Sequence, residues 1–292
     1  AQLEIGMDIQ QMSESKWLGF VSYVSPIFKQ DFAQALLGHW LILLDRVATN
    51  SDGLVSQLHL IDETAEQQNR AFNDTSLDWG GFVTPSHQIH HQAEKTPGSI
   101  ALSMQGQILT YKEFDKRVNQ LANWLRDKGV NSETRVGLGL ERSFELVIGL
   151  HAITRAGGAY VPLDPSYPVE RLQYILQSAN IDLLLTDSNS VHLWPQSQDC
   201  EYVDLSKLDV SGQPSVPPLV HWHPEQALYV IFTSGSTGLP KGVVNTQVAL
   251  QNRLNWMQQE YALNESDCVL QKTPFSFDVS VWEFFWPLMT GA

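Results

Sequence analysis

Apolar positions change their spacing several times along these 292 residues. Residues 1–50 read as strand, strand, helix. The segment "WLGFVSYVSPIF" (17–28) is rich in β-formers and closes near Pro26. Over 29–53, Phe32, Ala35, Leu36, Trp40, Leu43, Leu44 and Val47 fall on one helical face. Asp31 near its start and the run Asn50, Ser51, Asp52, Gly53 at its end have capping chemistry. The residues before "WLGF" are too few to cover such a face. The segment therefore reads as the tail of a domain whose body lies elsewhere.

Between 62 and 88 the composition turns polar, with Gly80-Gly81 and Pro85, which predicts a linker that opens with a short helix. Trp79 and Phe82 predict that this linker is docked rather than free. From 87 onward strands and helices alternate. A helix over 87–95 precedes a hairpin about Gln105-Gly106-Gln107. A helix then buries Phe114, Val118, Leu121 and Leu125 and stops at Gly129. "RVGLGL", "AYVPLD", "IDLLLTD" and "ALYVIFT" read as strands, separated by helices in "SFELVIGLHAITRAGG" and "PVERLQYILQSAN". That alternation predicts an α/β fold with a largely parallel sheet covered on both faces. Ligands in such sheets sit beyond the carboxyl ends of the strands.

Composition narrows the partners. The net charge of −14 argues against nucleic acid or an anionic membrane as the main partner, yet permits a nucleotide held by backbone N–H groups and a local lysine. Cys200 and Cys268 stand apart without a CxxC companion, which argues against a zinc site or disulfide framework and fits a reducing cytoplasm. The longest apolar run, "ALLGHWLILL", is too short for a membrane span. The chain begins without Met or a basic leader, so it reads as cut from something longer.

The chemistry concentrates where "ALYVIFT" runs into "SGSTGLPKG". Residues 233–238 are all Ser, Thr or Gly. Gly235, Gly238 and Gly242 free the backbone, while Thr233, Ser234, Ser236 and Thr237 offer hydroxyls and Lys241 a charge. Such residues also make ordinary polar turns; their density here and the Pro-Lys-Gly that follows favour a phosphate loop. It is not a Walker A loop, since Lys241 is followed by glycine rather than Ser or Thr, and the dinucleotide-fold glycine spacing fails as well.

The stretch resembles instead the signature of adenylate-forming enzymes. "LTYKEF" (109–114), "RAGGAYVPLDPSYP" (155–168), "ALYVIFTSGSTGLPKGVV" (227–244) and "FSFDVSVWEFFWPL" (275–288) follow in the order found in adenylation domains of non-ribosomal peptide synthetases. The resemblance implies a truncated adenylate-forming domain of the acyl-CoA synthetase/luciferase type over 87–292, with layered, parallel-rich sheets. It implies a linker over 63–86 and, over 1–62, the end of a chloramphenicol-acetyltransferase-like condensation domain.

It further implies ATP with Mg2+ as cosubstrate. Thr233, Ser234, Gly235, Ser236, Thr237, Gly238, Lys241 and Gly242 would hold its phosphates, with Lys241 and Thr233 acting in catalysis. Asp278 of "FDVS" would pair with the α-ammonium of an amino acid; taken alone it reads as a helix N-cap, with Glu283 loosely placed for a capping box. Phe277, Val279 and Trp282 would line the substrate pocket, and the Asp-Val-Trp combination resembles serine-activating pockets. Gln247 stands where many relatives carry a His near the phosphate side of the site.

The same resemblance implies a phosphopantetheine carrier arm and the remaining synthetase segments as partners, none of them on this chain. The family's ribose-binding Asp, hinge and catalytic Lys also fall outside it, so little turnover is expected of the chain alone. An acyl- or aryl-CoA ligase, or a non-catalytic docking segment, is the competing reading. His90-His91 lacks the Asp-Gly of a condensation motif and reads as helix surface. His221 and His223 could share one side of a strand, without a third ligand.

Overall fold

The computed structural model describes residues 4–58, 61–194, 200–234 and 238–292, in two compact units, Ala1–Leu77 and Asp78–Ala292. In the first, β1 (Ile5–Ser13) and β2 (Lys16–Tyr23) form an antiparallel hairpin, followed by α1 (Gln30–Thr49) and α2 (Glu63–Asn73). Gly19 of β2 lies against Trp40 of α1; a Cβ there would meet the indole at 2.7 Å. The rest of the expected face is poorly covered: Phe32, Leu44 and Val47 stay exposed, and Ala33 is buried. Lys29 is the N-cap of α1 and makes no side-chain cap bond, so Asp31 serves the first turn through the helix dipole instead.

The second unit opens with α3 (Pro85–Lys95) and the hairpin of β3 (Ile100–Met104) and β4 (Gln107–Thr110). Gln105 and Gly106 turn the hairpin with φ of 52° and 80°. α4 (Tyr111–Asp127) starts with a reciprocal capping box between Thr110 and Glu113. It ends at Gly129, whose φ of 89° stops the helix. Then follow β5 (Arg135–Gly139), α5 (Phe144–Arg155), β6 (Ala159–Pro162), α6 (Val169–Ser178) and β7 (Leu183–Thr186). The rest comprises β8 (Glu201–Asp204), β9 (Ala227–Thr233), β10 (Lys241–Thr246), α7 (Gln247–Tyr261) and α8 (Val279–Thr290).

Six strands form one sheet in the order β10-β9-β6-β5-β7-β8. All neighbours are parallel except β10, which runs antiparallel to β9. Apolar residues cover both faces, as parallel strands require. One core joins Phe114, Val118, Leu121 and Leu125 of α4 to α5 and α8. The other packs Leu172, Ile175 and Leu176 of α6 on Val161, Leu184 and Val230. The stretch before α3 is docked as expected. Trp79 Nε1 donates to Asn252 Oδ1 at 2.7 Å, and Gln251 Nε2 donates to the Gly81 carbonyl at 2.8 Å.

His151 of α5 is fully buried between the rings of Phe114 and Phe285. Its Nε2–H donates to the Phe284 carbonyl at 3.1 Å, and its Nδ1 has no partner among the described residues. Burial, aided by the Arg155 charge and opposed by the Phe284 bond, holds its pKa down to about 3 from 6.5. Between those values the unfolded chain takes a proton that the folded chain refuses. Stability should therefore fall as pH drops from about 6.5 towards 3, by up to about 1.4 kcal/mol per pH unit from this group. Urea melts at about pH 7 and about pH 5 check this; an equal loss in His151→Gln and the parent would refute it.

Candidate functional site

The loop of interest joins two antiparallel strands. Lys241 pairs with Thr233 in register, so the chain that leaves β9 returns as an antiparallel strand rather than entering a helix directly as in a Walker motif. Residues directly opposite on paired strands point to the same face. Thr233 and Lys241 thus stand side by side at the two stems of the loop, both exposed. Gly235, Ser236 and Thr237 lie outside the described residues.

The glycines act differently from one another. Gly238 takes φ of 87°, a conformation suited to glycine. Gly242 does not; it faces Phe232, and a Cβ on it would come within 3.0 Å of that ring. Its smallness admits a neighbouring side chain instead.

At the carboxyl end of β9 opens a cavity of about 460 Å³. Period-two alternation puts Tyr229 and Ile231 of β9, with Val243 and Asn245 of β10, on one wall together with Thr233. Tyr167 comes from the turn before α6, Arg171 from its first turn, and Ser276, Phe277 and Asp278 from the turn before α8. Asp164 after β6 ties these parts together. Tyr167 Oη donates to Ser276 Oγ at 3.0 Å, and Ser276 Oγ to Asp164 Oδ2 at 3.4 Å. The Tyr229 hydroxyl is pushed up to about 12, by burial first and then by the nearby Asp278 carboxylate. It stays a neutral donor at any physiological pH.

Asp278 precedes α8 and makes no side-chain cap bond, so the ordinary N-cap role is not realised. It is exposed. Glu283 does not cap either. It is buried and accepts from Thr273 Oγ1 at 2.6 Å, Thr273 N at 3.1 Å, Lys272 N at 3.2 Å and Gln271 Nε2 at 2.9 Å. This carboxylate anchors α8 to the irregular segment 271–273 and so fixes where Asp278 stands. Phe277 lines this cavity. Val279 is exposed outside this lining, and Trp282 packs on Trp286 at 5.9 Å between ring centroids.

Gln247 is elsewhere. It begins α7, and its N–H donates to the Gln226 carbonyl at 2.9 Å, just before β9 starts. β10 is six residues long and runs back along β9, which places Gln247 ~20 Å from the loop. The expectation of a phosphate-side residue is thereby corrected; it is fully buried, and its side-chain amide has no partner among the described residues. His90 is also more than helix surface: its Nδ1 lies 2.9 Å from Asp115 Oδ2. His221 and His223 lie in irregular chain rather than on a strand. Among the described residues no group of three His, Cys, Asp or Glu could hold a metal, and no helix is long and apolar enough to cross a membrane.

Comparison with known proteins decides the family, because the profile described as AMP-binding enzyme matches residues 89–292. The chain belongs to the AMP-binding enzymes. It is similar to tyrocidine synthase 3 of Brevibacillus parabrevis, with 35% identity over 273 residues, 93% of this chain and 4% of that protein. It is 45% identical over 214 residues to enterobactin synthase component F of Shigella flexneri, covering 72% of this chain and 16% of that one. Among solved structures, the nonribosomal peptide synthetase FmoA3 in its α-methyl-L-serine-AMP bound form superimposes with a TM-score of 0.81 at 26% identity. That match covers 98% of this chain and 32% of the other. The chain therefore spans a minor part of each of these relatives.

Sequence reading missed Tyr167, Arg171, Tyr229, Asn245 and Ser276 as cavity residues. The alternation in "YVIFT" was the available signal for Tyr229. Nothing local in "PVERLQY" marks Arg171 as facing a cavity, since that depends on where α6 docks.

Proposed function

We propose that the protein of which this chain is part activates an amino acid as its adenylate within a nonribosomal peptide synthetase. One observation carries the reading: Asp278 and the loop stem Thr233–Ser234 line the same cavity, so an ammonium site and a phosphate site are adjacent. A substrate carboxylate oxygen attacks the α-phosphorus of ATP. The bond from that phosphorus to the oxygen bridging it to the β-phosphate breaks, so pyrophosphate leaves and an acyl-adenylate remains. Lys241 and the loop hydroxyls and N–H groups from Thr233 to Gly242 stabilise the departing charge. Mg2+ would enter with the nucleotide and offset the negative charge of its phosphates.

An amino-acid substrate is supported by the α-methyl-L-serine-AMP bound form of FmoA3 and by the synthase relatives. Serine is the side chain we propose, from the order Asp278, Val279, Trp282 in the sequence; of the three, Asp278 lines the cavity, while Val279 and Trp282 lie outside it. The partners are a carrier domain bearing a phosphopantetheine arm and the remaining synthetase segments, in the cytoplasm. Residues 1–62 are read as the end of a condensation domain and 63–86 as a linker into adenylation segment 87–292. Supporting this, the similarity to tyrocidine synthase 3 runs over 93% of the chain, whereas the AMP-binding match begins at residue 89.

Amino-acid-dependent exchange of labelled pyrophosphate into ATP by the full-length protein tests the activity. Lys241→Ala is expected to lower kcat by roughly a hundredfold with the fold intact. Exchange driven by fatty or aryl acids and by no amino acid would instead mark an acyl- or aryl-CoA ligase. Activity indifferent to Lys241→Ala would remove the loop assignment.

A further inference from the structure

Arg171 and Asp278 are the two charged residues among those lining the cavity, one of each sign. Arg171 sits in the first turn of α6, with its guanidinium carbon 3.9 Å from the centroid of the Tyr167 ring. That ring is itself fixed, because its hydroxyl donates to Ser276 Oγ at 3.0 Å. Stacking on a braced aromatic ring holds a planar guanidinium in one orientation. Yet Arg171 Nε is buried without a hydrogen-bond partner, and no carboxylate among the described residues pairs with the side chain.

A buried N–H of a cation left unpaired is costly. Arg171 itself lines the open cavity, so the rest of its guanidinium is within reach of a ligand although Nε is closed off. The guanidinium fork matches a two-oxygen anion, carboxylate or phosphate, through parallel hydrogen bonds. Asp278 across the same cavity would repel that anion and attract an ammonium. The two side chains thus polarise the cavity in the sense that a zwitterion beside a triphosphate needs.

We propose that Arg171 contacts substrate and holds an oxyanion in this cavity, either the carboxylate of the amino acid or a phosphate of ATP. The inference rests on the adenylating reading above and adds a residue to it. In the full-length protein, Arg171→Gln should raise the KM for one anionic substrate about tenfold or more, with a smaller change in kcat and an unchanged melting temperature. Arg171→Lys, which keeps the charge without the fork, should recover part of the loss.

A raised KM for the amino acid assigns the carboxylate; a raised KM for ATP and pyrophosphate assigns the phosphate. Unchanged KM values, or a fall in kcat that tracks a fall in melting temperature, would overturn the proposal. If the parent protein shows no exchange at all, the adenylating reading fails by itself. Calorimetric binding of inorganic pyrophosphate and of free amino acid to the parent and to Arg171→Gln then decides for Arg171. Equal binding of both ligands by the two proteins overturns it, and weaker binding of either by the variant upholds it.

Discussion

Asp278→Asn should raise the KM for the amino acid by roughly 30- to 100-fold, about 2–3 kcal/mol, while the KM for ATP stays near that of the parent. The substitution keeps the shape of the side chain and removes its charge. Its cost arises in the complex, where a bound ammonium would face a neutral amide after losing its water. The free protein loses little, because Asp278 makes no cap bond to α8. Four hydrogen bonds to Glu283 hold the first half of the helix, and Trp286 Nε1, donating to Gln258 Oε1 at 2.7 Å, holds the second. Melting temperature should thus be unchanged. Steady-state exchange kinetics and thermal melts separate the roles: a lower melting temperature with an unchanged KM would make Asp278 a cap after all.

Arg155→Met should cost about 3–5 kcal/mol of stability and lower the melting temperature by about 10 °C. Arg155 is fully buried at the end of α5 and is bound on every side. Its Nη1 donates to Asp115 Oδ1 and, at 2.7 Å, to Asn119 Oδ1. Its Nε donates to Ser86 Oγ at 3.2 Å and its Nη2 to the Ser86 carbonyl at 3.3 Å. The side chain thereby joins α3, α4 and α5. Asp115 also accepts from Asn119 Nδ2 at 2.9 Å and lies against His90 Nδ1. Removing the arginine alone leaves a buried carboxylate without its main countercharge. Arg155→Met with Asp115→Leu should regain much of the loss, since deleting both ions removes the uncompensated charge. Denaturant melts of the two single variants and the double variant measure the coupling. Additive losses would mean that the pair contributes nothing specific.

Much of the second unit was legible along the chain. Phe114, Val118, Leu121 and Leu125 recur at helical spacing and are all buried, and Gly129 ends that helix as its conformational freedom predicts. Local spacing decides such features, since each side chain's neighbours on its own helix are three or four residues away. The short strand β8 escaped because "EYVD" is too brief to show a period, and β10 escaped because its first residues read as part of the phosphate loop. In the first unit the helical face of α1 was legible, but the hairpin covers Trp40 and leaves Phe32, Leu44 and Val47 exposed.

The sequence by itself determined the alternation of strands and helices, the density of Ser, Thr and Gly at 233–238, and the order of motifs that marks the family. Those properties are local, or depend only on order along the chain. The tertiary structure decided which residues share the cavity. Antiparallel return of β10 set Lys241 opposite Thr233 and carried Gln247 to the far end of the sheet. Docking of α6 beside β9 brought Arg171 to within the same cavity as Asp278, a residue more than a hundred positions later. Burial made Asp115 and Arg155 one unit, although each alone looks like a surface charge. Pairings of this kind follow from strand order, register and desolvation, and no spacing along the chain encodes them directly.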